Sequence, residues 1–156
     1  MNIEIEKKFT VKTESWKEGQ QGVLYMQGYI CRNIGKSVRV RIAGNTGYLT
    51  IKGGRTGLSR DEFEYSIPKD DAKTLLEKYC EGKVIEKLRY KIMFEGKLWE
   101  VDEFLGNNKG LIIAEIELLS ETEEFLIPDW IGEEVTNDPK YYNANMIDFP
   151  YSEWPK

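Results

Sequence analysis

The sequence predicts a mainly β fold (α+β), an eight-stranded antiparallel sheet closed into a barrel with a few flanking helices. Apolar and polar residues alternate with period two in eight separate segments, as they do in half-buried strands. Most of these segments are joined by Gly- and Asn-containing turns of hairpin length, which makes neighbours antiparallel. Only Lys69 to Cys80 carries a clear helical pattern, with Leu75, Leu76 and Tyr79 spaced for one face. At 156 residues, the whole of 1–156 is expected to be a single domain with a real core.

Taken in order, the first expected strand is Met1 to Phe9. Ile3, Ile5, Lys7 and Phe9 fall on one face, and Glu4, Glu6 and Lys8 on the other. Thr13 to Gln20 is polar around Trp16 and reads as a loop or short helical turn. The second strand is Val23 to Arg32, followed by a turn at Asn33-Ile34-Gly35 and a third strand, Lys36 to Ala43. Gly44 to Gly47 is a hairpin signal leading to the fourth strand, Tyr48 to Lys52. Glycines 53, 54 and 57 mark a loop that holds Arg55, and the fifth strand runs from Ser59 to Ile67. Pro68-Lys69-Asp70-Asp71 suits a helix start. The sixth strand, Lys83 to Phe94, turns at Glu95-Gly96 into the seventh, Leu98 to Leu105. Gly106 to Gly110 is another turn, and Leu111 to Leu119 is the eighth strand. Ser120-Glu121-Thr122-Glu123 has the form of a capping box and is expected to open a short helix ending near Pro128. A last helix is expected over Lys140 to Ile147, before an irregular tail with Trp154. Trp16, Trp130 and Trp154 read as packing or surface residues.

Composition narrows the chemistry. A net charge of −5 is a poor footing for a general nucleic-acid binder. No apolar run approaches the length of a membrane helix, and Glu4 and Glu6 so near Met1 argue against a secretory signal. Two cysteines make neither a disulfide framework nor a thiolate metal site, so a reduced, cytoplasmic setting is expected. Histidine is absent, which excludes a Ser-His-Asp site, a His-ligated zinc and a His base. Any metal must then be held by oxygen, as hard cations such as magnesium, manganese or calcium are.

The polar face of the strands repeats one feature. Each strand tends to keep one sign of charge: Glu4 and Glu6 (with Lys8), Arg39 and Arg41, Lys52, Glu62 and Glu64, Lys87 with Arg89 and Lys91, Glu100 and Asp102, Glu115 and Glu117. Charge on the solvated face of an antiparallel sheet is ordinary. Like-charged pairs are unfavourable on an idle surface, however. They make sense together if one ligand is both anionic and metal-bound, with guanidinium and ammonium groups on the anion and carboxylates on the cation. In a closed barrel these side chains would line a hydrophilic tunnel, with the apolar faces outward under the helices. A lipocalin-like carrier fits poorly, because such a cavity would be lined by apolar residues.

The ordered blocks resemble the CYTH superfamily of triphosphate tunnel metalloenzymes, in its short bacterial form. They are Glu4-x-Glu6-x-Lys8, Val38-Arg39-Val40-Arg41, Thr50-Ile51-Lys52, Glu62-x-Glu64, Lys87-x-Arg89-Tyr90, Glu100-x-Asp102-x-Phe104 and Glu115-x-Glu117. Gly132 to Thr136 followed by Tyr141-x-Asn143 resembles the end of short members. The resemblance spans nearly the whole chain. It implies an eight-stranded tunnel for a linear triphosphate with a divalent metal, Mg2+ or Mn2+. The family includes inorganic triphosphatases, thiamine triphosphatases, an RNA triphosphatase branch and a class of adenylate cyclases. It implies metal-side roles for Glu4, Glu6, Asp102, Glu115 and Glu117, and phosphate contacts for Lys8, Arg39, Arg41, Lys52, Lys87 and Arg89. Glu62, Glu64 and Glu100 face the same way and either bind metal or hold the basic side chains. Lys8 and Tyr29 are the candidate catalytic pair if the second strand lies beside the first. Tyr29 would then position water, or Lys8 would act through a lowered pKa, with a packing role for Tyr29 the plain alternative. The expected activity is metal-dependent hydrolysis of a triphosphate, most simply inorganic tripolyphosphate to pyrophosphate and phosphate. Thiamine triphosphatase, adenylate cyclase and a non-catalytic polyphosphate- or metal-binding module are the alternatives. The expected partner is the small-molecule triphosphate, with no DNA and no membrane, and a homodimer stays open.

Overall fold

A computed structural model describes residues 2–33 and 35–156. Met1, the start of the first expected strand, and Ile34, the centre of the expected Asn33-Ile34-Gly35 turn, lie outside the described residues. The strands are β1 (Ile3–Val11), β2 (Val23–Asn33), β3 (Lys36–Ala43), β4 (Thr46–Gly53), β5 (Ser59–Ile67), β6 (Ile85–Phe94), β7 (Lys97–Phe104), β8 (Ile112–Glu117) and β9 (Ile131–Glu134). Helix α1 spans Lys69–Tyr79 and the short α2 spans Asn143–Met146. Two hairpins use tight two-residue turns in which a glycine takes positive φ. Glu95 and Gly96 both have positive φ (48° and 77°), the type I′ signature that suits the right-handed twist of β6 and β7. Only Gly44 is positive (60°) in the two-residue turn between β3 and β4, as a type II′ turn requires.

The sheet order is β5-β4-β3-β2-β6-β7-β8-β1-β9, and β1 also pairs with β5. That second pairing closes a ring of eight strands, to which β9 is a short addition. β1 achieves closure by dividing one edge between two partners. Ile3, Glu4 and Ile5 pair with Asp61, Arg60 and Ser59 of β5, whereas Phe9 and Val11 lie beside β9 across an irregular register. Its other edge takes β8 over Glu6 to Thr10. β1 therefore has no free edge for β2, so the condition under which Lys8 would face Tyr29 is not met. β2 sits between β3 and β6 instead. The connection carries a 3-10 turn at Ser15–Lys17 whose Trp16 is buried in the outer core against Tyr90 and Trp130. Closure removes the exposed edges that an open antiparallel sheet would leave.

The ring is apolar outside and charged within, the reverse of a simple half-buried sheet. On one side Phe9, Tyr90, Ile92, Trp99, Val101 and Ile116 form a core covered by Trp16, Phe125 and Trp130. On the other, α1 lays Ala72 and Leu76 onto Val40 and Ile42. A third cluster lies at one end of the ring, where the C-terminal Met146 and Trp154 pack on Ile85, Phe104 and Ile113. Those three share strand faces with the charged Lys87, Asp102 and Glu115, so the inner face changes from ionic to apolar near this end. No helix among the described residues is long and apolar enough to cross a membrane.

Two expected helices differ. Ser120 to Pro128 forms a single turn, closed by Glu123 N donating to Ser120 O at 3.2 Å, and then runs irregularly. Glu123 accepts from the Leu119 amide and pairs with Lys97, so the box residue turns the chain without propagating a helix. Pro128 disfavours helical backbone at Ile127, and the path seats Phe125 against Phe9 and Trp99. The helix expected over Lys140 to Ile147 breaks at Tyr142, whose extended backbone (φ −77°, ψ 129°) separates a 3-10 turn at Pro139–Tyr141 from α2.

Candidate active site

The ring encloses a cavity of about 340 Å³ lined mainly by ionic side chains, with tyrosines and asparagines among them. Every strand from β1 to β8 contributes, because residues two apart on a strand point to one side. Pairing sets the neighbours: Glu6 lies opposite Glu117 and Lys8 opposite Glu115 across β1 and β8, and Arg89 lies opposite Asp102 across β6 and β7. The C-terminal segment lies across one end through Tyr142, Asn143, Ala144 and Asn145. Lys91, Glu64 and Glu117 are exposed where they line the cavity at one end, and Asn145 is exposed where it lines it at the α2 end.

The cations are incompletely neutralised. Arg41 has no carboxylate partner among the described residues; its Nε donates to Gln27 Oε1 at 3.1 Å and its guanidinium lies over the Tyr25 ring. Burial, then repulsion from Arg39 and Arg89, pushes Arg41 down to about 10. Lys87 is lowered from 10.5 to about 7, first by burial, with Arg89 and Arg41 adding to it against the pull of Asp102. The Nε of Arg39 is buried without a hydrogen-bond partner. Such a cluster of desolvated donors has its complement in a multiply charged anion.

The carboxylates carry the opposite imbalance. Burial, then the charges of Glu115 and Glu4, raises Glu6 from 4.5 to about 8. Burial also acts upward on Glu115, but Lys8, Arg89, Lys87 and a hydrogen bond from Glu6 hold it well below the usual range. The two acids thus keep one proton between them near neutral pH. Glu117 has no ion pair among the described residues and is raised by burial and by Glu4 and Glu100. No three acids among the described residues are close enough to enclose an ion alone. Magnesium does not need three, since it keeps waters and takes one or two carboxylates together with substrate phosphates. A proton-sharing pair of hard oxygen donors beside a phosphate-sized cationic pocket fits such an ion.

All the residues singled out in the sequence reach this cavity or its immediate wall, but with unequal partners. Asp102 is fully buried and both its oxygens are taken: Arg89 contacts them at 2.7 and 2.8 Å, and Lys87 reaches Oδ2 at 2.7 Å. Glu64 accepts from Arg39 and Thr50, Glu62 pairs with Lys52 at 3.2 Å, and Glu100 pairs with Arg89 at 3.3 Å, so these three hold basic side chains. Glu4 is shared by Lys52 and Arg60. Tyr29 lines the cavity beside Arg39, not opposite Lys8, because β2 is not the neighbour of β1. Nor is the Lys8 pKa lowered: burial acts downward, but Glu115, Glu6 and Glu4 raise it, so Lys8 stays charged, 3.7 Å from Glu115.

Sequence reasoning missed several members of the site. Arg55, placed outside the pattern because its loop does not alternate, points into the cavity 4.0 Å from Glu6 and lies over the Tyr142 ring. Arg60 shares a strand with Glu62 and Glu64, yet β1–β5 closure puts its guanidinium on Glu4. Gln27 is fully buried and bridges Arg41 to Asn143. The parity of β2 contained that signal. Asn143 stood in the Tyr141-x-Asn143 block of the resemblance, but no strand alternation gave it a direction.

The sequence matches the CYTH domain family over residues 2–146. It is 57% identical over 154 residues to the inorganic triphosphatase of Acetivibrio thermocellus, covering 99% of each chain. It is 37% identical over 148 residues to the inorganic triphosphatase of Nitrosomonas europaea, covering 92% of this chain and 95% of that one. The crystal structure of the inorganic triphosphatase NE1496 is similar with a TM-score of 0.67 at 34% identity, over 94% of this chain and 99% of that one.

Proposed function

The chain belongs to the CYTH domain family, and on that premise we propose that it hydrolyses a linear triphosphate, inorganic tripolyphosphate above all, to pyrophosphate and phosphate with magnesium or manganese. The observation that carries this is the double imbalance of one cavity: buried guanidinium and ammonium groups short of negative charge, and a buried acid pair short of positive charge. A metal-bound triphosphate corrects both at once. Arg39, Arg41, Lys52, Lys87 and Arg89 hold the phosphate chain, with Asp102 and Glu64 fixing the guanidinium groups that touch it. Glu6, Glu115, Glu4 and Glu117 would hold the metal, which when bound supplies charge neutralisation on phosphoryl oxygens. Phosphoryl transfer needs positioning and electrostatic stabilisation more than covalent help, so the absence of histidine costs nothing.

In the reaction a water oxygen bonds to a terminal phosphorus, the P–O bond to the bridging oxygen breaks, pyrophosphate leaves with the electron pair, and one water proton stays on the new phosphate while the other passes to the pyrophosphate or to solvent. Lys8, held charged between Glu6 and Glu115, stabilises negative charge near the acid pair and is no general base. Tyr29 presents a phenol hydroxyl to the cationic wall and orients water or phosphate there. Phosphate release from tripolyphosphate, thiamine triphosphate and ATP, with and without magnesium and alongside cyclic AMP formation, tests the reading. Magnesium-dependent release, fastest from tripolyphosphate, is the expected result. No release from any of the three would overturn it in favour of a binding module.

A further inference from the structure

Gln27 stands on β2 opposite Arg41 of β3 and is fully buried. It does not line the cavity, whereas Arg41 does. Both polar atoms of its amide are engaged. Arg41 can only donate, and its Nε donates to Gln27 Oε1 at 3.1 Å. Lys87 can only donate as well, and it commits Asn143 Oδ1 as an acceptor at 2.9 Å. Gln27 Nε2 donates to that same Asn143 oxygen at 3.2 Å. The two cations thus fix the polarity of the chain that joins them, and its two middle members are neutral.

Neutrality sets Arg41 apart. Lys8, Arg39, Lys52, Lys87 and Arg89 each pair with a carboxylate in this cavity. Arg41 meets an amide oxygen and the face of the Tyr25 ring, which also carries Arg89. Its terminal nitrogens have no hydrogen-bond partner among the described residues and are not sealed from solvent, so they open on the cavity. A glutamate on the same stem would form an ion pair with Arg41 and take up its charge. The glutamine oxygen orients the guanidinium and leaves that charge uncompensated.

We propose that Gln27 is a positioning residue for substrate binding: it holds the Arg41 guanidinium in the cavity wall by a neutral acceptor, so that the phosphate chain supplies the counter-charge Arg41 lacks. The inference rests on the triphosphate reading of the same cavity. Gln27 touches no phosphate and acts only through Arg41.

Two substitutions and one double-mutant cycle test it. Titration calorimetry with tripolyphosphate in chelator reads affinity, and thermal melting without ligand reads the fold. Gln27→Met keeps the volume and removes both hydrogen bonds, whereas Gln27→Glu keeps the oxygen that Arg41 uses and adds a counter-charge. Affinity should fall roughly tenfold in Gln27→Met and about a hundredfold in Gln27→Glu, the range of one hydrogen bond to a charged group. Melting temperatures should run the other way, with Gln27→Glu above Gln27→Met, because the carboxylate compensates a buried cation. A residue that merely held the fold would rank the two variants alike in both measurements. In the Arg41→Ala background, Gln27→Met should cost less than about threefold, since the group it positions is gone. Three results would each overturn the inference while leaving the triphosphatase reading intact: the same ranking in both measurements, Gln27→Glu binding within about threefold of the wild type, or an equal loss from Gln27→Met with and without Arg41. A wild-type chain that binds no tripolyphosphate overturns both.

Discussion

Replacing Glu6 with Gln should stabilise the metal-free protein and disable it. The Glu6 carboxyl is 12% exposed and raised from 4.5 to about 8 by burial and by Glu115 and Glu4. Between those two pH values the folded chain keeps a proton that the unfolded chain has released. Wild-type stability therefore falls as pH rises through this window, and the loss is complete above pH 8. At about 1.4 kcal/mol per pH unit the deficit reaches on the order of 4 kcal/mol. Gln has nearly the same volume and never ionises, so it removes this deficit. The difference in melting temperature should be near zero at pH 4.5 and grow to on the order of 10 °C by pH 8 for a chain of this size. The assay is calorimetric melting from pH 4.5 to 9 in chelator, repeated with magnesium. Magnesium should raise the wild-type melting temperature most at high pH and raise the variant far less, and tripolyphosphate turnover should collapse in the variant. A variant less stable than wild type at pH 8, or a difference that does not change with pH, would refute the proton-sharing pair.

Three further outcomes are expected. Arg41→Ala should weaken tripolyphosphate binding roughly ten- to a hundredfold, since Arg41 lines the cavity without a carboxylate partner among the described residues; an unchanged dissociation constant in titration calorimetry would move the phosphates elsewhere. Asp102→Asn leaves buried Lys87 without its counter-charge and Arg89 with only Glu100 and Glu115, and should cost about 3–5 kcal/mol in urea unfolding; a cost below about 1 kcal/mol would show that these remaining partners suffice. In chelator, tripolyphosphate at 100 times its dissociation constant should protect the fold by about 2.7 kcal/mol without being cleaved. Added magnesium should then start phosphate release, whereas calcium, with its looser coordination, should support little turnover; equal turnover with calcium would count against the compact octahedral requirement.

Local sequence was enough to say which side chains share a face. A strand repeats every two residues, so Glu4, Glu6 and Lys8, or Lys87 and Arg89, could be assigned to one surface before any partner was known. The hairpin turns at Gly44 and at Glu95-Gly96 were equally local, because glycine admits the positive φ a tight turn needs. With six strand faces carrying like-charged pairs and a seventh carrying Lys52, the ionic interior followed as soon as the ring was closed.

Which strands meet was decided only in three dimensions. The division of one β1 edge between β5 and β9 depends on residues more than fifty positions apart, and no local pattern encodes it. That pairing moved Tyr29 away from Lys8 and brought Arg60 onto Glu4. The sign of a pKa shift is likewise a sum over neighbours from several strands: Lys8 and Lys87 are both buried ammonium groups, yet one is raised by surrounding carboxylates and the other lowered among cations. Arg55 and Asn143 enter from a loop and from a four-residue helix, elements with no periodicity to betray a direction. Period-two alternation fixes a side chain's face relative to its own strand. The group it meets across the cavity is set by how the ring closes.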